Sequence, residues 1–452
     1  MKTRSFVAAA AFAFATSSAF AADGDLDPTF GTNAGYTYLG LTGLNFQLPM
    51  RTTVLADGRI LTCGGFATSS SQTDFIVAML TPDGQLDTSF NFNGQVDVDF
   101  SGGDDICNAV LVQQDGKILL IGASTATTGT ASSDFAVARL NADGTLDTTF
   151  GGGSGRVTIG FDLGDTNTDV AAMAVLQPDN KIVVGGIVAT VGGFDFAATR
   201  LRQDGSRDTS FGSAGRVTVD FNSDAGSLDQ ADSVLLDNQG RIILTGIASV
   251  AGAAAFALAR LLPNGSLDVK FNGDGKATIP FDLGNSNIDL SYRSILTHDQ
   301  KIVMVGGADA GSGTTQNNDV AIARILPNGS LDTSFGNAGR TVISFDLVPN
   351  ANDIATSVVE SANGALIVGG IASIDDVGSS AGFTLRLTPD GALDDGYGVF
   401  GKETYMFGSP TFILADTAMQ GTQLIVTGFS GVGGDIAAGR ILIDSIFANG
   451  FE

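Results

Sequence analysis

One phrase recurs along this chain about every sixty residues, and that recurrence limits the possible folds more than any other feature. It reads Phe75-Ile-Val-Ala-Met-Leu80, Phe135-Ala-Val-Ala-Arg-Leu140, Phe196-Ala-Ala-Thr-Arg-Leu201, Phe256-Ala-Leu-Ala-Arg-Leu261, Val320-Ala-Ile-Ala-Arg-Ile325, Phe383-Thr-Leu-Arg-Leu387 and Ile436-Ala-Ala-Gly-Arg-Ile441. The final apolar positions lie 54 to 64 residues apart. An internal period of this length marks a repeat architecture, in which each unit is one supersecondary element that buries its apolar face against its neighbours.

The rest of each unit is also repeated in order. The first six phrases lead into an Asp/Asn-Gly turn and a Leu-Asp-x-x-Phe linker, as in Asp83-Gly-Gln-Leu-Asp-Thr-Ser-Phe90 and Asn328-Gly-Ser-Leu-Asp-Thr-Ser-Phe335, with Arg207 and Tyr397 as variants. A short Arg- or Lys-led segment follows (Arg216-Val-Thr-Val-Asp-Phe221), then a third (Ala109-Val-Leu-Val-Gln113), a Gly-Lys or Gly-Arg turn and a fourth (Lys117-Ile-Leu-Leu-Ile-Gly122). Short apolar, partly alternating segments separated by Asp-Gly and Asn-Gly turns read as a four-stranded antiparallel meander. Gly58, Gly116, Gly240 and Gly364 mark the central hairpin, where a left-handed backbone is cheap for glycine. Asn180 fits the same place in the third unit, and Gln300 in the fifth is less expected.

Seven such meanders predict an all-β fold, a seven-bladed β-propeller of seven repeats over residues 22–452, with an open β array as the alternative. The chain copies the inter-unit linker near its start, in Asp23-Gly-Asp-Leu-Asp-Pro-Thr-Phe30, which is what a ring needs if its first strand completes the last blade. The segment Tyr36–Leu41 is therefore expected to pair with strands of the last unit. In this order of phrases the chain resembles the delta-60 repeat proteins, a β-propeller-like family of exported bacterial proteins. The resemblance covers residues 23–443, weakens in the seventh unit where Gly421-Thr-Gln-Leu replaces Asp-Gly-Lys-Ile, and implies no particular activity or functional residue.

No catalytic site is recognisable. The linker Asp recurs at Asp27, Asp87, Asp147, Asp208, Asp268, Asp332 and Asp394, and one active site has no use for seven copies. The strand Arg lies eight residues upstream in five units (Arg139, Arg200, Arg260, Arg324, Arg386), so an ion pair holding linker to blade is expected. Met79 replaces this Arg in the first unit, which leaves Asp87 to backbone or water. The oxygen-rich loops Asp162–Asp169 and Asp282–Asp289 offer hard ligands for calcium but lack EF-hand spacing, so solvated turns are the plainer reading. His298 is the single histidine, which excludes a multi-histidine metal site. No nucleophile elbow accompanies it in a suitable context.

Cys63 and Cys107 form either a disulfide or two buried fillers. Trp is absent and Tyr numbers five, so a broad sugar-stacking platform is poorly supplied. Among the connections, those equivalent to Ala67–Asp74, Ser124–Asp134, Ala308–Asp319 and Ser373–Gly382 vary from unit to unit, whereas the central hairpins and linkers on the opposite face are monotonous. Recognition is expected on the varied face.

Lys2 and Arg4, the apolar run Phe6–Ala15 and the small residues to Ala19-Phe20-Ala21 read as a signal peptide over residues 1–21. No later run is long enough for a membrane-spanning helix. With 48 acidic against 23 basic residues, nucleic acid is a poor partner. The expected role is an exported (secreted, periplasmic or surface) binding, interaction or structural module for protein or glycan, not an enzyme, with no cofactor other than the calcium considered above. The alternative is a secreted carbohydrate-active hydrolase or lyase.

Overall fold

A computed structural model describes residues 22–40, 46–69, 72–100, 102–125, 132–164, 167–221, 226–250, 252–284, 288–311, 317–349, 351–375, 378–431 and 435–443. Seven antiparallel four-stranded sheets form the blades of a β-propeller, the third sheet gaining a short parallel strand, Ser227–Leu228. From inner to outer strand, blade 1 is Phe46–Val54, Ile60–Ser69, Gln72–Leu80 and Gln95–Val98; blade 2 is Asp105–Val112, Ile118–Thr125, Ser133–Leu140 and Arg156–Ile159. Blades 3 to 6 repeat this order, with inner strands Asp169–Leu176, Gln230–Leu236, Asp289–Leu296 and Asp353–Glu360. Each inner strand packs against the next around the ring, and Phe412–Gln420 of blade 7 packs against Phe46–Val54. The ring is closed, and the open array is excluded.

Closure follows the scheme read from the repeated linker. Blade 7 consists of Phe412–Gln420, Gln423–Ser430 and Asp435–Leu442, and its outer strand is Tyr36–Tyr38, paired antiparallel with Gly439, Ala438 and Ala437. Leu41 of the expected segment lies outside the described residues, as do residues 1–21, where a signal peptide is expected. The strand exchange satisfies a backbone edge that an open sheet would leave unpaired.

The marker phrase forms the third strand of every blade, but it is buried on both faces instead of alternating. Phe135, Ala136, Val137, Ala138 and Leu140 are all fully buried, because the blades stack face to face. What alternates is size, with Phe and Val on one side and Ala on the other, so that neighbouring sheets interdigitate. In the central hairpins Asn180 and Gln300 have φ of +60° and +65°, beside +81° at Gly116. Gln300 supports this strained position by accepting the Asn238 N–H at 2.9 Å.

The linker Asp–Arg pair is present, and it does more than hold one blade. In blade 3, Arg200 Nε lies 2.9 Å from Asp208 Oδ2, and Asp208 Oδ1 accepts Ser210 Oγ at 2.7 Å. Arg200 Nη1 then donates to the Pro263 carbonyl of the next blade at 2.6 Å, while its guanidinium lies 4.8 Å from the Phe211 ring centroid. Arg139, Arg260 and Arg324 repeat the arrangement, and Arg386 stacks on Tyr397. Arg440 completes the series with Asp27 and Phe30 from the start of the chain, at 2.8 Å and 5.0 Å. Buried linker rings require the next turn to be glycine: a Cβ on Gly84 would sit 2.6 Å from the Phe30 ring.

Asp87 corrects the reading made from Met79. It is paired by Arg59 Nη1 at 3.3 Å and by the Ser89 hydroxyl, not by backbone or water alone. Arg59 is the hairpin cation, and its counterparts Lys117, Lys181, Arg241 and Lys301 reach Asp147, Asp208, Asp268 and Asp332 in the same way. Burial opposes the charge on Asp332, but hydrogen bonds from Ser334 and Lys301 and the nearby Arg324 hold its pKa down to about 2.

Cys63 and Cys107 are joined, with Cα atoms 5.8 Å apart and a sequence separation of 44, and the bond ties blade 1 to blade 2. A loop of this length corresponds to about 4 kcal/mol of chain entropy. Reduction is expected to lower the denaturation midpoint accordingly. Parallel urea titrations of oxidised and of reduced, alkylated protein check this, and coincident curves would assign the two cysteines no stabilising role.

Candidate functional site

The sequence that builds the axis is the part of each unit that does not repeat. Every inner strand carries a β-bulge, with register shifts between Cys107 and Ala109, Ala171 and Met173, Ala231 and Ser233, Ser291 and Arg293, Ala355 and Ser357, and Leu414 and Asp416. A bulge leaves one residue outside the ladder and re-aims it. The residues freed here are Asn108, Ala172, Asp232, Tyr292, Thr356 and Ala415. Together with Arg51 they line one cavity of ≈ 440 Å³ to which all seven blades contribute. It lies in the half of the channel where the inner strands begin, nearest the varied connections. Its remaining walls include the apolar Val170, Ile187, Ile354 and Ile371.

Polar groups converge on this apolar space. The Arg51 side chain is buried, and its Nη2 makes a long 3.4 Å bond to the Tyr292 carbonyl while Nε has no protein partner. Arg293 donates to Met173 Sδ at 3.4 Å, and its Nε is likewise without a protein partner. Asp232 is half-buried as a residue, yet both carboxylate oxygens are shielded from solvent and neither completes a protein hydrogen bond. The Asn108 amide donates to the Ala171 carbonyl at 2.8 Å, leaving its own oxygen unmatched. Asp416, by contrast, is fully satisfied: it accepts the Thr52 N–H at 2.8 Å and the Ser357 hydroxyl at 2.9 Å.

These surroundings shift the ionisations in opposite directions. Burial raises Asp232 to about 6, opposed by the nearby Ser291 and Ser233 hydroxyls and the two arginines. Burial and repulsion from Arg293 lower Arg51 to about 10, with Asp416 and Asp232 opposing. Burial, then Asp232, raises the Tyr292 phenol. Tyr292 keeps 37% of its surface exposed and contributes to the cavity lining. Shallow depressions elsewhere, such as one of ≈ 390 Å³ beside Phe161 and Arg216, gather no comparable set of unmatched groups.

None of these residues stands out in a reading that searches for repeated phrases. The signal lies in a column: Asn108, Ala172, Asp232, Tyr292 and Thr356 each fall three residues after the repeated Asp105, Asp169, Asp229, Asp289 and Asp353. His298, as expected, is exposed, and its Nδ1 lies 2.7 Å from Glu360 Oε1. That hydrogen bond raises the pKa of the imidazole. Of the calcium-loop residues, Asp162 and Asp169 approach the Asp134 carboxylate, and Asp282 lies near Asp289. The centres of both loops lie outside the described residues.

The family model described as domain of unknown function (DUF5122) beta-propeller matches six stretches, residues 55–90, 113–150, 177–211, 240–271, 300–335 and 361–397. The chain is a β-propeller repeat protein. The seventh unit, where the linker phrases decay, falls outside these matches. No curated protein matches this propeller. Similar solved structures include a polysaccharide lyase, the PL25 ulvan lyase bound to a -[GlcA(1-4)Rha3S]- ligand, at 10% identity and TM-score 0.50 over 90% of this chain and 95% of that one. Others are a protein of unknown function from Dyadobacter fermentans (11% identity, TM-score 0.43, 90% and 99% covered) and the GH93 α-L-arabinofuranosidase of Fusarium graminearum (12%, 0.45, 91% and 98%). At these identities the likeness is one of fold alone. Among the described residues no helix is long and apolar enough to cross a membrane.

Proposed function

We propose that this propeller is an exported binding module of the delta-60 repeat type whose axial cavity takes a small glycan bearing a carboxylate. The observation that carries the reading is the set of unmatched donors and acceptors, Arg51 Nε, Asn108 Oδ1 and both Asp232 oxygens, on residues that line one apolar cavity, with the Arg293 charge acting on Arg51 and Asp232 beside them. Two guanidiniums suit a carboxylate, Asp232 and Asn108 suit hydroxyl donors, and the exposed Tyr292 ring suits a sugar face. A cavity of ≈ 440 Å³ falls within the range used for small ligands. The Cys63–Cys107 bond supports an oxidising compartment, in keeping with the leader over residues 1–21. Calorimetric titration with D-glucuronate, using D-glucose as the uncharged comparison, tests the reading. Glucuronate is expected to bind more tightly, and Arg51→Met or Arg293→Met to weaken it about tenfold or more, the loss typical of a charge-assisted hydrogen bond. Absence of glucuronate binding by the folded protein, or equal affinity in both variants, would remove the proposal.

A carbohydrate-active enzyme is the second reading, favoured by one observation: Asp232, raised to about 6, holds or releases a proton near neutral pH beside a phenol. Release of new chain ends from a uronate-containing oligosaccharide by wild type and not by Asp232→Asn would support it. Binding without turnover would leave the module.

A further inference from the structure

On the varied face, carboxylates recur at the junctions between successive blades. The inner strands of blades 2, 3, 5 and 6 open on Asp105, Asp169, Asp289 and Asp353, and Asp229 immediately precedes that of blade 4; all are buried to within 1%. Each accepts the backbone N–H of the aromatic residue two positions after the preceding outer strand, Phe100, Phe161, Phe221, Phe281 or Phe345, at 2.6–2.9 Å. That contact uses Oδ2. On Asp105, Asp169 and Asp353 the other oxygen, though buried, has no protein partner.

At the junction of blades 1 and 2 the Asp105 carboxylate meets two more carboxylates. Asp74 comes from the start of strand Gln72–Leu80 and Asp99 from the residue after the outer strand Gln95–Val98. One oxygen of each of Asp74, Asp99 and Asp105 lies within 4.8 Å of the other two. Asp195, Asp220 and Asp229 repeat the arrangement between blades 3 and 4. There, however, the Lys276 ammonium reaches the Asp220 carbonyl at 2.9 Å and brings a positive charge to the cluster. The charged groups acting on Asp105 are Asp99 and Asp74, both negative, and the Ser124 hydroxyl opposite it in the ladder does not complete a hydrogen bond to Oδ1.

We infer that Asp74, Asp99 and Asp105 form a site for a hard divalent cation, calcium above all, that joins blade 1 to blade 2 on the varied face. Three carboxylates from three strand ends supply the charge and oxygen ligands such an ion takes, with water completing the shell. The site differs from the sequence loops Asp162–Asp169 and Asp282–Asp289, because its ligands come from two blades and not from one loop. It also lies beside the Cys63–Cys107 bond, since Cys107 is two residues from Asp105. The cation would therefore fasten the same junction that the disulfide does.

Calorimetric titration of chelator-treated, full-length mature protein with CaCl2 tests this site. Binding is expected in wild type, unchanged in the exposed-turn variant Asp115→Asn, and weakened at least tenfold in Asp99→Asn and in Asp74→Asn. Asp99 is exposed, so its variant keeps the fold readable. A wild-type protein that takes up no calcium at millimolar concentration overturns the inference. So does calcium binding that survives unchanged in both Asp99→Asn and Asp74→Asn, which would place the ion elsewhere.

Discussion

A protein lacking residues 22–40 is expected not to fold into a stable ring. That segment supplies the outer strand of blade 7, the fully buried Phe30 and the buried Leu39. It also supplies Asp27 and Asp23, the partners of Arg440 and Arg386 at 2.8 Å each. Loss of a buried Phe, a buried Leu and one partner of a buried ion pair adds up to more than about 8 kcal/mol by the usual single-site costs. Whole domains are stable by roughly 5–15 kcal/mol, so most or all of the margin would go. Circular dichroism melts of the full and truncated proteins measure this. A truncated chain that melts cooperatively within a few degrees of the intact one would show that packing of blade 7 against blade 1 closes the ring without the exchanged strand.

Arg200→Ala is expected to cost on the order of 3 kcal/mol, where Lys270→Ala costs almost nothing. Arg200 is 6% exposed and serves Asp208, Ser210, the Pro263 carbonyl and the Phe211 ring together, so its removal leaves a buried carboxylate with only Lys181 and Ser210 to compensate it closely and loosens two blades at once. Lys270 is exposed and uses only its backbone N–H in the linker. Denaturant midpoints compared at equal slope decide the matter, and equal midpoints would deny the ion pair a structural role. The same reasoning makes Arg59 more costly than an ordinary surface Arg, because it alone provides the side-chain cation for Asp87 in the blade where Met79 stands.

The architecture was legible because it is repeated. Seven copies of one phrase, turns with Gly or Asn at left-handed positions, and a linker displaced to the start of the chain together determine blade number, strand order and the exchanged strand. Two features were missed for physical reasons. The marker strands do not alternate in polarity because stacked blades cover both faces, as at Phe135–Leu140. Asp87 finds Arg59 because the hairpin cation sits beside the linker in space while being 28 residues away in sequence.

The axial site was illegible for the converse reason. Asp232, Tyr292 and Asn108 occupy one column, but their different chemistry gives no motif, and Arg51 comes from a blade whose bulge interrupts the spacing. Only the bulges, which turn that column toward the axis, bring these residues together.

The measurement that bears most directly on this account is a crystal structure of the protein soaked in D-glucuronate. The account places the sugar on the axis, with its carboxylate within hydrogen-bond distance of Arg51 or Arg293 and a hydroxyl on Asp232. A cavity holding water alone at a saturating soak, or a sugar bound only to the outer connections, would contradict it.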